Sequence, residues 1–374
     1  MKINHIDVFQ TDLPYAGGTY TLSGGRSYSS FDATLVRVTS DCGIQGWGES
    51  TPFGSTYVAA HALGVRAGIA EIAPVLLGKD PRHCDRINQV MDEALAGHPH
   101  VKSALDVACW DIFGKATNMP VCDLLGGRTR NRLATISSIY AGDPVDMRGR
   151  VADHRQRGYL GHSIKVGASE PEGGPRLDAA RISESLADTK SGEFFIVDAN
   201  GGMTLEHAMR TLRLLPANLD FVLEAPCATW QECLALRQRI DVPIFFDELA
   251  VSDTSVSQIV AQDAAEGIGL KVSKNGGLTQ CRRQRDIAIA AGLVMSIQDT
   301  VGSEISFAAI VHLAQTVPEK YLRCVLDTRD MVSKSVAEFD CVLEDGGVFA
   351  PKEAGLGIKP RMDVLGTPVA SYTV

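Results

Sequence analysis

Between residues 133 and 327 the chain repeats one pattern: a short, continuously apolar run ending on a polar or charged residue, then a segment of helical periodicity. The runs are LATISSIY (133–140), GHSIKV (161–166), FFIVDAN (194–200), FVLEAP (221–226), VPIFFDE (242–248), GIGLKVSK (267–274), LVMSIQD (293–299) and YLRCVLD (321–327). Intervening stretches such as LEHAMRTLRLLPA and DTSVSQIVAQDAAEG carry apolar residues at three- and four-residue steps. Strands that are apolar on both faces belong to a parallel sheet covered by helices. Eight such units in about 200 residues close into a (β/α)8-type barrel.

Upstream the rhythm differs. IDVFQTDL, a Gly/Ser/Tyr-rich stretch (AGGTYTLSGGRSYSSFD) and ATLVRVTSDCGIQGWGES read as antiparallel strands, the last a hairpin turning at Asp41–Gly43. From about Tyr57 to Lys115 the period becomes helical. Residues 1–127 are therefore expected to form an α+β capping domain, and residues 128–340 the catalytic (β/α) barrel. Residues 341–374, rich in turns and short strands, are expected to return to the cap. The predicted fold class is α/β, a modified TIM barrel with an N-terminal cap, for which 374 residues suffice.

Composition narrows the function. Thirty-six Lys+Arg against 45 Asp+Glu give a net charge of −9 with no basic run, which excludes an electrostatic platform for nucleic acid. No apolar window is long enough to span a membrane, and the N-terminus lacks the apolar core of a signal peptide. Nine cysteines without a C-x-x-C pair suit reduced thiols in a cytoplasmic protein.

In such a barrel the active site lies at the carboxyl ends of the strands. Those ends carry Lys165, Asp198, Glu224, Asp247 (then Glu248), Lys271, Asp299 and Asp327 on strands two to eight. The steps from Asp198 to Glu224, Asp247 and Lys271 are 26, 23 and 24 residues, one βα unit each. Three adjacent strands thus aim carboxylates into one volume, where like charges oppose ionisation unless a cation is present. Oxygen-only ligation favours Mg²⁺; zinc would recruit His or Cys. Lys165 and Lys271 flank the cluster, placed to move protons on opposite faces of a bound substrate. The competing expectation is that each carboxylate or lysine forms a private ion pair.

VDAN, LEAP, FFDE and LKVSKNGG, one strand apart, resemble the enolase superfamily in its mandelate racemase/muconate-lactonizing subgroup. GWGES (46–50) and ALDVACWDIFGKATNMPVCDLLGG (104–127) resemble that family's cap and its junction with the barrel. The resemblance spans essentially the whole chain. It implies that Asp198, Glu224 and Asp247 hold Mg²⁺ against a small-molecule substrate's carboxylate, and that Lys165 and Lys271 are the acid/base pair of an enediolate mechanism. It also implies a homo-oligomer. One departure is Ser163-Ile164-Lys165, where the subgroup commonly has Lys-x-Lys. Ser163 keeps a hydroxyl to offer the substrate carboxylate, whereas His162 points to the opposite face.

The absence of a strand-seven histidine argues against sugar-acid dehydration of the mandelate racemase kind. The overall match is similar to a cluster acting on proline derivatives, by 2-epimerisation of betaines or dehydration of hydroxyprolines. A quaternary ammonium needs aromatic faces, and neither Val301 after strand seven nor Asp327-Thr328-Arg329-Asp330 after strand eight supplies one. Asp327 instead suits a protonated secondary amine, unless it caps the next turn or pairs with Arg329. The expected reaction is dehydration of cis-3-hydroxy-L-proline with competing 2-epimerisation. Epimerisation of a betaine, amino-acid derivative or dipeptide is the alternative, and a non-catalytic metal-binding scaffold the distant one. Asn200 and Asp299 are further substrate-binding candidates. Tyr20, Phe53 and Tyr57 are candidate lid contacts, on segments 16–31 and 52–57 that could close over the barrel mouth.

Overall fold

The computed structural model describes residues 1–374. Eight parallel strands form a closed barrel: Leu133–Ile139, Gly161–Lys165, Phe194–Asp198, Val222–Glu224, Ile244–Phe246, Gly267–Lys271, Val294–Gln298 and Leu322–Leu326, with the eighth pairing back on the first. We number them barrel strands one to eight. A helix of eight or more residues follows each of the first seven, whereas strand eight leads only into a 3-10 turn, Thr328–Met331. All eight apolar runs of the sequence are therefore strands. After the eighth strand the Asp327 side chain caps that tight turn by accepting from the Arg329 amide.

Residue pairing around the barrel fixes which side chains face inward. Lys165 lies level with Asp198, Asp198 with Glu224, and Lys271 with Gln298. Ser296 lies level with Cys324, and Leu326 with Ile136. Neighbours at the same level of a parallel sheet point to the same side. One inward set therefore runs from Ser163 and Lys165 through Asp198 and Glu224 to Lys271, Gln298 and Leu326.

The cap is a four-stranded antiparallel sheet in the order Ala370–Thr373, Ile3–Pro14, Ser30–Ser40, Gln45–Ser50. Three helices pack with it: α1 (Ala62–Leu76), α2 (Cys84–Ala94) and α3 (Pro99–Thr117). The tail after residue 340 divides its contacts. Gly347–Val348 pairs with barrel strand one, whereas Leu356 bonds Asp111 of the cap helix α3 and Val369–Val374 lies along cap strand Ile3–Pro14. No helix is long and apolar enough to cross a membrane.

Helix α3 is buried on nearly every side, as expected of a helix between two layers. Its polar groups are matched across the junction. Asp106 accepts from the Thr279 amide at 3.0 Å, and the Trp110 indole donates to Thr279 at 2.8 Å. Asp111 accepts from the Trp47 amide at 3.0 Å and the Leu356 amide at 2.8 Å. The GWGES strand lies directly on this helix because Gly46 and Gly48 have no side chain. A Cβ at either position would drive into the Ala108 or Ala104 carbonyl. Glu49 of the same motif accepts from the Ser303 and Ser306 amides at the start of the helix after strand seven, docking the cap on the barrel. Gly48→Ala is expected to destabilise the fold by about 2 kcal/mol or more through overpacking, measured by denaturant unfolding.

Candidate active site

The inward set converges at the carboxyl end of the barrel. Lys165 donates a short hydrogen bond to Asp198. Lys271 pairs with Asp247 at 2.5 Å, and Lys274 reaches the other oxygen of that carboxylate at 2.7 Å. Glu224, between them, accepts from the Gln298 amide nitrogen at 2.9 Å. Asn200, held with φ at 47°, donates to Asp198 at 2.9 Å and to Glu248 at 3.2 Å. From the cap, the Tyr57 hydroxyl sits 2.6 Å from Lys271 Nζ and 3.4 Å from Asp247. Asn200 also lies 3.5 Å from the Tyr57 hydroxyl, so Asp198, Asp247, Asn200, Lys165, Lys271 and Tyr57 form one connected group, with Glu224 held beside it by Gln298.

Four carboxylates (198, 224, 247, 248) face three ammoniums (165, 271, 274), all in the buried interior except the partly covered Glu248. Burial, then the charges of Asp198 and Asp247, push Glu224 up to about 8. Burial together with Asp247 and Asp198 pushes Glu248 up to about 7. Burial alone would discharge Lys165 and Lys271, but the neighbouring carboxylates outweigh it and hold both ammoniums above their ordinary value. Asp247 is held low: its two lysines overcome the desolvation that would raise it. The cluster carries more acid than its lysines match.

That excess is the property a divalent cation requires. The donors are hard carboxylate oxygens with no histidine or cysteine among them, and Glu248 Oε2 is buried without a partner. As the side chains stand, no three acidic, histidine or cysteine groups converge on a single point. Asp198 and Asp247 are instead each engaged by a lysine. The donor set fits Mg²⁺ in its chemistry, with the lysines as the groups to be exchanged.

Two sequence candidates lie elsewhere. Asp327 follows Leu326, the inward residue of strand eight, and so faces the outer side. Both its oxygens accept from Arg329, at 2.9 and 2.8 Å, and Tyr159 donates to it at 3.3 Å. As placed, it is a structural ion pair and turn cap, not an amine-binding group in the barrel. Asp299 follows inward Gln298 by the same one-residue offset. It accepts from the Ser273 amide at 3.0 Å and hydroxyl at 2.7 Å, tying the ends of strands six and seven together. His162 points outward, stacked 5.2 Å from Phe195, as the alternation of its strand requires.

Ser163 is inward, two residues before Lys165 and level with Ser138, whose hydroxyl lies 2.5 Å from that of Tyr20. The Gly/Ser-rich segment lies over strands one and two, with the Gly24 amide on the Gly167 carbonyl at 3.1 Å and the Ala141 amide on the Thr21 carbonyl at 3.0 Å. Aromatic faces come from this covering layer rather than from strands seven and eight. Tyr20, Phe53 and Tyr57 follow one another at ring separations of 5.2 and 5.6 Å, and Tyr140 lies 6.0 Å from Tyr20. A cavity of about 420 Å³ opens over strands three to five, lined by Arg26, Tyr57, Asn200, Asp247 and Glu248. The sequence reading missed Lys274 and Gln298 as members of the cluster. Lys274 stands in the quoted LKVSKNGG, but a rule that takes one residue per strand end passes over it.

Residues 24–126 match the mandelate racemase/muconate lactonizing enzyme N-terminal domain, and residues 146–364 match the enolase C-terminal domain-like family. The chain is 39% identical to a cis-3-hydroxy-L-proline dehydratase of Roseibium aggregatum, covering 100% of both chains. It is 28% identical to an N-succinyl-L-Arg/Lys racemase of Bacillus cereus, over 84% of each. A magnesium complex from Roseovarius nubinhibens ISM, described as a mandelate racemase/muconate lactonizing enzyme, superposes with a TM-score of 0.98 at 55% identity, covering 100% of both chains.

Two outcomes follow from these contacts. Asp327→Asn should leave KM within about threefold, yet lower stability by about 1–3 kcal/mol by breaking the charged hydrogen bonds to Arg329. Glu224 has a folded-state pKa raised above its unfolded value. Its ionisation therefore destabilises the metal-free fold progressively as pH rises from about 4.5 to about 8. Thermal unfolding in EDTA should show Glu224→Gln stabilising the protein at pH 8, with the gain gone near pH 4.5. With its full-length relative and both matched domains, this chain belongs to the mandelate racemase/muconate lactonizing enzyme family of the enolase superfamily.

Proposed function

We propose that this enzyme dehydrates cis-3-hydroxy-L-proline to a pyrroline-2-carboxylate, with 2-epimerisation as a competing outcome. The observation that carries the chemistry is the lysine pair. Lys165 and Lys271 stand on strands two and six, on either side of the carboxylates of strands three to five. The substrate assignment is supported by the 39% identical dehydratase.

Asp198, Glu224 and Asp247 are the residues that would hold Mg²⁺. Bound there, the ion supplies positive charge to the substrate carboxylate, which makes the C2 proton more acidic. A lysine released from its carboxylate partner loses the interaction that keeps it protonated, and burial then favours the neutral amine. That amine takes the C2 proton. The C3 hydroxyl leaves as water with a proton from an acid, and the resulting enamine tautomerises to the cyclic imine. If the opposite lysine instead returns a proton to C2, the product is the epimer. Tyr57 hydrogen-bonds the Lys271 ammonium and orients it from the cap side, while the segment carrying Tyr20 excludes water.

A second reading, 2-epimerisation of a proline betaine or related amino-acid derivative, is favoured by the aromatic layer of Tyr20, Phe53, Tyr57 and Tyr140. The outward placement of Asp327 points the same way, since it removes the anion that would prefer a protonated amine.

The test is a set of proline analogues incubated in heavy water with Mg²⁺. With cis-3-hydroxy-L-proline, loss of the 3-hydroxyl should accompany deuterium uptake at C2. Lys165→Ala and Lys271→Ala should each lower kcat by about 10²–10⁴-fold, and EDTA should abolish turnover. Exchange without elimination, or turnover confined to betaines, would replace dehydration by the epimerase reading.

A further inference from the structure

The Gly/Ser-rich segment that covers strands one and two has little structure of its own. Its regular pairing is a two-residue ladder, Tyr20–Thr21 with Ser27–Tyr28, and Gly24 and Gly25 both hold φ at 72°. Residues 52–60, which carry Tyr57, form neither helix nor strand. Segments of this kind take their position from the groups that hold them to the rest of the molecule.

On the barrel side the covering segment is tied at Ser23 and Gly24. The Ser23 hydroxyl donates to the Val166 carbonyl and the Gly24 amide to the Gly167 carbonyl at 3.1 Å, just beyond Lys165 in the chain. On the cap side the tie is Arg26. Its Nε donates to the Ser23 carbonyl at 3.0 Å and its Nη1 to the Thr56 carbonyl at 2.8 Å, so one guanidinium spans both segments. The Thr56 carbonyl belongs to the peptide unit that leads into Tyr57, and Arg26 Cζ lies 6.0 Å from the Tyr57 ring centroid. A second tie, between the Tyr28 and Thr56 hydroxyls at 2.7 Å, holds the Thr56 side chain but not that peptide. Tyr57 in turn places its hydroxyl 2.6 Å from Lys271 Nζ.

We propose that Arg26 is a positioning residue for Lys271. It carries the seating of the covering segment on the end of strand two across to the Tyr57 hydroxyl, so Lys271 is oriented only when that segment is down. A guanidinium suits the task because its planar fork fixes two carbonyls at a set angle, which a single ammonium does not. This role rests on Lys271 being an acid/base residue of the proposed reaction.

The experiment is a double-mutant cycle of Arg26→Met and Tyr57→Phe in the full chain with Mg²⁺. It reads kcat and KM for deuterium uptake at C2 of cis-3-hydroxy-L-proline in heavy water, which reports proton transfer whether or not elimination follows. Arg26→Met should lower kcat by about 10–100-fold through lost orientation, with KM within about threefold. In the Tyr57→Phe background the same change should cost less than about twofold. Amide hydrogen exchange, measured without substrate or metal, should quicken at residues 53–58 in Arg26→Met. Losses that multiply in the double variant overturn the proposal, because Arg26 then acts independently of Tyr57. A raised KM with kcat intact also overturns it, by making Arg26 a direct substrate contact, as does unchanged amide exchange at 53–58. Lys271→Ala separates the two levels of the argument: full C2 exchange in that variant would remove the acid/base reading itself, and this role with it.

Discussion

Neighbouring strands of a parallel sheet lie about 4.8 Å apart, and that spacing governs this site. Acids at the ends of three adjacent strands are forced within reach of one another, and the barrel and cap bury them from water. Crowded, desolvated carboxylates are unfavourable unless opposite charge is supplied. The protein supplies part of it through Lys165, Lys271 and Lys274, and leaves the balance short, as the raised Glu224 and Glu248 record. The same imbalance that makes a divalent cation welcome keeps the lysines charged until their partners are engaged elsewhere.

Cap and barrel divide the work along chemical lines. The barrel contributes charge, fixed on strands whose backbone is locked by its neighbours. The cap contributes hydroxyls and aromatic rings on connections between strands and helices, segments that can vary in shape without disturbing a core. Glu49 and Asp106 join the two parts by accepting backbone amides at helix starts, so the docking uses directional hydrogen bonds at each end of the junction. Tyr57 crosses the boundary, a cap residue in contact with a barrel lysine.

Much of this was legible without coordinates. The eight apolar runs were all strands, and the charged residues of strands two to six pointed where their spacing required. The failures at Asp299 and Asp327 share one cause. Both are the final charged residue of a run, but the inward phase of strands seven and eight ends one residue earlier, at Gln298 and Leu326. A one-residue offset in a strand turns a side chain to the other face. Tyr20, Phe53 and Tyr57 were candidate lid contacts from the segments that carry them, but the packing of their rings into one layer was not legible, because it depends on how those separate segments meet one another.

The sequence by itself determined the barrel, the cap and the acid and lysine positions on strands two to six. Each follows from periodicity and from spacings near one βα unit, which are properties of local chain geometry. Only the tertiary structure decided which strand-end residues share the interior, which lysine pairs with which acid, and how the cap's aromatic rings pack against one another over the site. Those outcomes depend on strand register and on the approach of distant segments. Both are set by packing across the whole molecule rather than by any stretch of it.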